Sequence, residues 1–472
     1  MTNSNSARPR KINNEITEGG VKSALWKLAM PMMAGAALMD LFALVDLFFI
    51  GRLGYVAVAA LSISGVLLAV IMMAAIGIST GTTALVAHYI GKKDYDSADS
   101  VLFQTIVLSA VCSLVMVLIG LYGTTGLLRL FGASAEVIPA ASEYLKINFI
   151  WSIFIFLFIA FNQALRGSGD AVVPLKILVL ANIVNIVLDP LFIFGFGFFP
   201  RMEVAGSAIA TVISRAIGVA LLLRYFLFGY SSLHFHRGIF KINLPVMGRM
   251  VRIGFFASFE VLLRQVSLLL LLGLITSFGT ACLAAYGIVI RLRMTIMMFG
   301  FGMGNACAVV IGQNMGADSS QRAVQSGWKA LTYYELMVIP AAAIFFIFAP
   351  QIIGVFNEHP EVVKTGSEFM RFMAFTFPFL AAALILGKGI NGAGDTIAPA
   401  VMTGIAQLGL RIPVSYILAL FFGMGPTGIW LGINSSDVAQ GLAMVWYFKR
   451  GFWQKRYYQH RAILEETPLI QV

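Results

Sequence analysis

Ionisable side chains are scarce in this sequence. Only 12% of its 472 residues are Asp, Glu, Lys or Arg, against 59% hydrophobic, and the mean hydropathy is +0.86. A soluble globular domain carries about 25% charged residues, so this balance excludes one. Cysteine is nearly absent. Cys112, Cys282 and Cys307 stand in apolar surroundings without ligand spacing, which argues against disulfides and metal clusters. Histidine is also rare: of five, only His88 lies near a hydrophobic run, at its end. A membrane-embedded hydrolase or transferase needs an activated nucleophile or a metal, usually with His, so an enzyme is not expected. No Gly-rich loop leads into a Lys of the ATP-binding kind, so ATP is not the expected energy source and no cofactor is implied. The alternating segments of a membrane β-barrel are missing too. The opening stretch MTNSNSARPRKINNEITEGG has no apolar core or cleavage site, so no signal peptide is expected and the first span should stay uncleaved.

What the chain does have is continuous apolar runs, each long enough to cross about 30 Å of hydrocarbon as a helix. Twelve recur between Ala24 and the neighbourhood of Phe448. The net charge of +11 would suggest nucleic acid in a soluble protein, but its distribution gives another reading. With the amino terminus inside, the connections on one side and both tails hold most of the 33 basic residues. The opposite connections hold Arg52, Arg129, Lys146, Arg201, Lys364 and Arg371. This is the positive-inside pattern, and it predicts a multi-pass protein of the plasma (inner cytoplasmic) membrane with both termini cytoplasmic. The basic excess answers to orientation and anionic lipid, so no nucleic-acid partner is expected.

The fifth run, Leu175 to Phe194, is apolar except for Asn182, Asn185 and Asp189. Asn185 and Asp189 are four apart and share one helical face. A carboxylate in a membrane helix costs at least about 2.5 kcal/mol, so it normally faces a protein or water-filled interior and marks an ion or substrate path. The bland alternative is that Asp189-Pro190 merely ends the helix near the headgroups. The first run, roughly Ala24 to Ile50, carries Pro31, Asp40 and Asp46, and a proline there can kink the helix. Asp40 lies about 240° around the helix from Asp46, so the two cannot both face one centre, and a buried structural acid describes Asp40 as well as a site role does. Runs three and four are read near Gln104 to Tyr122 and Tyr144 to Gln163.

The pattern then repeats. Gly54 recurs as Gly279, Ala60 as Ala285, Gly77 as Gly302, Gly91 as Gly316 and Ala98 as Ala323. RGSGDAVVP recurs as NGAGDTIAP, all at one spacing of 225 residues. The fold expected is therefore all-α: twelve transmembrane helices in two homologous six-helix lobes of shared orientation around a central cavity. The lobes are residues 24–228 and 251–448. Tail 1–23, linker 229–250 and basic tail 449–472 are assigned to the cytoplasm. The second lobe has intramembrane charges of its own: Glu260 and Arg264, four apart and able to pair, with Arg291, Arg293 and Arg411. Met and Phe clusters such as Met294 to Met303 fit helix packing better than a cargo pocket.

VDLFFIGRLG in the first run, RGSGD with LANIVNIVLDP, VAGSAIATVISR in the sixth, IGQNMGA and NGAGD together resemble the multidrug and toxic compound extrusion (MATE) family, nearer its archaeal and DNA-damage-inducible branch. The resemblance covers roughly Ala24 to Lys449. It implies a secondary antiporter that exports organic, cationic or amphipathic compounds in exchange for protons or sodium. It implies coupling acids Asp46 and Asp189, with Asn185, Tyr144, Asn162 and Thr211 about them and Pro31 as hinge. Asp40, Glu260 and Arg264 are secondary positions. Glu260 resembles the acid that another branch uses for cation binding, but the tenth run here lacks the acid accompanying it there. The residues themselves agree that both outer-end acids of the first lobe can share one depth. Two neighbouring carboxylates repel in a low-dielectric site, which suits a proton exchanger, yet the same oxygens with Asn and Thr suit sodium.

The competing transport reading is a flippase for lipid or lipid-linked oligosaccharide, which requires cavity arginines to neutralise phosphate. Arg264, Arg291, Arg293 and Arg411 favour it, and the paired acids argue against it. Small organic molecules and membrane lipids are the expected partners of a monomer.

Overall fold

The computed structural model describes residues 15–196, 199–236 and 240–465. The outer parts of both expected tails and a piece of the expected linker, residues 1–14, 466–472 and 237–239, lie outside them. All regular structure among the described residues is helical. Ten helices are long and apolar enough to cross a membrane: α1 (Val21–Gly51), α2 (Tyr55–Gly91), α3 (Tyr95–Leu130), α5 (Val172–Phe194), α6 (Glu203–Leu227), α7 (Leu244–Thr276), α8 (Thr280–Gly316), α9 (Ser320–Ile347), α10 (Pro360–Gly392) and α11 (Ile397–Phe421). The bent pair Ile138–Ile150 and Ser152–Gly167 forms α4. Pro426–Arg450, whose Asn, Ser, Asp and Gln lower its hydropathy, completes the twelve as α12. The chain is a multi-pass all-α membrane protein.

Two compact units divide it. One holds Ala34–Gly254, the other Gly20–Met33 with Phe255 onward. Helices α1 and α7 are each shared between the units, and Pro31 stands two residues before the change along an otherwise unbroken α1. In the first unit, the start of α7 packs at backbone contact on α2, because a Cβ at Gly254 would come within 2.6 Å of the Gly77 carbonyl oxygen. In the second, the start of α1 packs in the same way on α8, where a Cβ at Gly302 would meet the Met33 amide at 2.6 Å. Gly77 and Gly302 are repeat equivalents, so the same glycine position receives the incoming helix in both units.

Backbone geometry carries the repeat as well. Gly54 and Gly279, Lys93 and Asp318, and Gly169 and Gly394 take left-handed φ values at matched places: 105° and 94°, 61° and 57°, 97° and 89°. At the RGSGD turn, Asp170 Oδ1 accepts from the amides of Val172 and Val173 and Oδ2 from the Tyr225 hydroxyl. These bonds cap α5. At NGAGD, Asp395 accepts from the Ala398 amide, the Tyr447 hydroxyl and Arg456.

Two expectations on span shape need correction. Helix α3 does not stop near Tyr122 but runs through a π-helical turn, Ile119–Gly123, to Leu130. Helix α4 is not a single rod: it bends by 54° at Trp151. No proline or glycine marks that bend; it lies beside Gly120 of α3, whose missing side chain lets Phe149 approach. Local sequence does not display this bend. In the second unit Tyr286, Phe369 and Trp430 form a buried stack, with Phe369 and Trp430 at 4.1 Å.

Candidate functional site

Helices α5 and α6 of the first unit lie against each other, each with a polar stripe at helical spacing. On α5 the stripe is Asn182, Asn185 and Asp189; on α6 it is Ser207, Thr211 and Arg215, each four residues from the next. Asn185 Nδ2 reaches Thr211 Oγ1 at 3.5 Å, and Ser207 is a polar neighbour of Asp189 without a hydrogen bond to it. Pro190 does not end α5, which continues to Phe194 and closes on left-handed Gly195. Asp189 is fully buried, and Asp189-Pro190 is not a helix end.

From α1, Asp46 reaches Asp189, and their carboxyl groups approach within hydrogen-bonding range. Two ionised carboxylates have no donor to share, so this contact becomes a hydrogen bond only when one of them holds a proton. Among the described residues, Asp46 Oδ1 and both oxygens of Asp189 are buried without a hydrogen bond. The orphaned oxygens fit a proton or a small hard cation, both of which carboxylates accept readily. Buried Tyr144 on α4 lies within electrostatic reach of both acids and of Arg215. Arg215 in turn acts on Asp46. Of the residues singled out from sequence, the structure thus gathers Asp46, Asp189, Asn185, Thr211 and Tyr144. Asn162 donates to its own helix at the Phe158 carbonyl, 2.6 Å away, and its side-chain oxygen is buried without a partner. Asp40 lies half-buried one and a half turns earlier on α1.

The second unit is built differently. Arg264 Nη2 donates to Glu260 Oε1 at 2.5 Å, and the same oxygen accepts from Thr403 at 3.5 Å. Gln440 donates to Thr403 and accepts from Gln407. Lys388 is within electrostatic reach of Glu260. Deeper in α12, Asp437 is fully buried between Arg293 at 2.7 Å and Arg411 at 2.8 Å.

Sequence reasoning passed over Arg215, Ser207, Asp437 and Lys388. An intramembrane charge is itself the signal for Arg215 and Asp437. Arg215 was in view inside VAGSAIATVISR, and Asp437 was masked by the polar neighbours Ser435, Ser436 and Gln440.

The family model MatE matches residues 31–191 and again 257–417, one match per repeat and well over half the chain. The chain is a member of the MatE family. The double match restates the internal repeat, and it makes this MatE chain a membrane transporter and not an enzyme. It is 26% identical to a probable multidrug resistance protein NorM of Thermotoga maritima over 92% of this chain and 94% of that one. It is equally 26% identical to an FAD transporter of Shewanella oneidensis, over 93% and 97%. A crystal structure of MATE in the bent conformation matches with a TM-score of 0.86 at 24% identity, covering 94% of this MatE chain and 98% of that chain, which shows the shared fold.

Proposed function

We propose that the protein is a secondary active antiporter for multidrug efflux, exporting organic, cationic or amphipathic compounds by alternating access in exchange for protons or sodium. One observation carries this reading: Asp46 and Asp189 face each other in the interior of one unit with oxygens that make no hydrogen bond among the described residues. Such a pair holds a cation far better than it holds its own two charges. Asn185, Thr211, Tyr144 and Asn162 supply further polar groups, and Pro31 lets α1 flex at the boundary of its two attachments. Binding of the coupling ion neutralises the pair and so weakens whatever cargo the charge attracts, since each ligand shifts the other only through differential affinity. The NorM-like relative supports drug export. The FAD transporter shows that a cargo in this sequence neighbourhood can be anionic. The protein acts as a monomer in the plasma (inner cytoplasmic) membrane with both termini cytoplasmic, without cofactor, on small organic substrates and among membrane lipids.

Inside-out vesicles under separately imposed proton and sodium gradients test this. Gradient-driven uptake of an organic cation is expected in wild-type protein and none in Asp189→Asn. Full transport by Asp189→Asn would falsify the assignment.

A further inference from the structure

The arginine pair at Asp437 has no counterpart in the first repeat. At the 225-residue spacing, Arg293 and Arg411 stand where the first lobe has Leu68 and Ile186. Two apolar positions have become guanidiniums against the one carboxylate of Asp437, leaving one positive charge over. Each oxygen of Asp437 takes one arginine. Arg293 spends only Nη1 on it, and Arg411 spends Nη2 there and Nε on Ser436. Among the described residues, the remaining Nε and Nη2 of Arg293 and Nη1 of Arg411 make no hydrogen bond, and none of them is sealed from solvent. The two side chains keep 9% and 12% of their surface accessible. Buried charge and open donors therefore coincide in one place.

Nor does the surrounding unit neutralise it. Glu260 is taken by Arg264, with Lys388 adding a further cation nearby. Two carboxylates thus serve four cations in this group, and uncompensated charge inside a membrane is costly enough to attract a counter-ion. Arg411 ends a π-helical turn, Ile405–Arg411, a local widening that often accompanies binding sites in helices. Tyr286, within electrostatic reach of Arg293, Arg411 and Asp437, is stacked on Trp430, whose indole N–H is buried without an acceptor.

We propose that the second lobe holds an oxyanion subsite at Arg293 and Arg411, which recognises a carboxylate or phosphate on an aromatic, amphipathic molecule. A planar guanidinium pair offers such a group parallel donors, and the neighbouring aromatic stack suits a flat apolar body. Asp437 holds the two arginines in place and lowers the charge the anion must meet. The inference deepens the efflux reading by naming a class of cargo, and rests on it only for export, since binding needs no gradient.

The test uses purified protein in phosphatidylcholine nanodiscs without any ion gradient. Rhodamine B, with a free carboxylate, is compared with its ethyl ester, the same fluorophore as a plain cation, by fluorescence polarisation. The acid is expected to bind about tenfold more tightly, the worth of one charge-assisted hydrogen bond. Arg411→Gln is expected to erase the difference by weakening the acid alone. Arg411→Lys, which keeps the charge and loses the fork, should narrow it. Equal affinity for acid and ester in the wild-type protein overturns the proposal, whatever the variants do. So does an Arg411→Gln protein that keeps the tenfold preference, or one that weakens both ligands alike, the result of a purely structural ion cluster. Nanodiscs containing phosphatidylglycerol separate two sources of the oxyanion. Loss of the preference there assigns the subsite to a lipid headgroup, and its persistence assigns it to a soluble amphiphile. Asp189→Asn should retain the preference although export is gone, which keeps a failure of the coupling assignment distinct from a failure here.

Discussion

The two lobes descend from one pattern and keep the same turns, the same glycine contacts and the same helix exchange, yet they place charge at different positions. Asp46 and Asp189 of the first lobe correspond to Leu271 and Val414 in the second, whereas Arg293 and Arg411 of the second correspond to Leu68 and Ile186 in the first. In one lobe the acids are left without donors; in the other the acid is saturated by two arginines. The fold is thus indifferent to where charge is inserted, and the pairing of the charge decides its role. An orphaned carboxylate lowers its energy by taking a ligand, and a saturated one lowers it by holding its neighbours.

The largest effect should come from removing charge in the first lobe. Asp189→Asn and Asp46→Asn are each expected to reduce gradient-driven export to background while membrane yield and melting temperature stay at or above wild type, because the change removes an unpaired buried charge. A fall in melting temperature matching the loss of transport would mean that these acids support the fold instead.

The same operation in the second lobe should have the opposite signature. Asp437→Ala leaves two guanidiniums in a buried site without their carboxylate, and breaking such a cluster costs about 3 to 5 kcal/mol. Thermal unfolding of the purified protein should drop accordingly, and an unchanged melting temperature would remove the contrast between the lobes.

A finer comparison concerns the equivalent glycines of the two Gly-rich turns. A Cβ at Gly392 would collide with the backbone of Ala308, whereas one at Gly167 would stand 3.1 Å from the Thr83 carbonyl oxygen. Gly392→Ala should therefore destabilise by about 1 to 3 kcal/mol and Gly167→Ala by less, read from the melting of the two variants side by side. The reverse order would show that the second lobe relaxes more easily at this contact.

The smallest effect is expected from Glu260→Gln. Arg264 keeps a hydrogen-bonding partner and only the charge is lost, so transport should fall less than about tenfold, the scale of one exposed-to-intermediate ion pair. A loss as complete as that of Asp189→Asn would make Glu260 a second coupling acid.

Much of this could be read from residues alone. Hydrophobic runs of spanning length admit only helices, because lipid offers backbone groups no partner, and the recurrence of Gly54, Gly77, Gly91 and RGSGD at one spacing reveals the doubling. The stripe of Asn185 and Asp189 follows from helical period. The 54° bend of α4, the approach of Asp46 to Asp189 and the choice of Asp437 as partner of two arginines involve segments from 26 to 144 residues apart in the chain. Periodicity tells which face of a helix is polar, and it carries no information about which other face will meet it. That choice belongs to packing, where a missing side chain at Gly120 or Gly302 sets how closely helices approach, and so only the tertiary structure decided which charges are satisfied and which are left open.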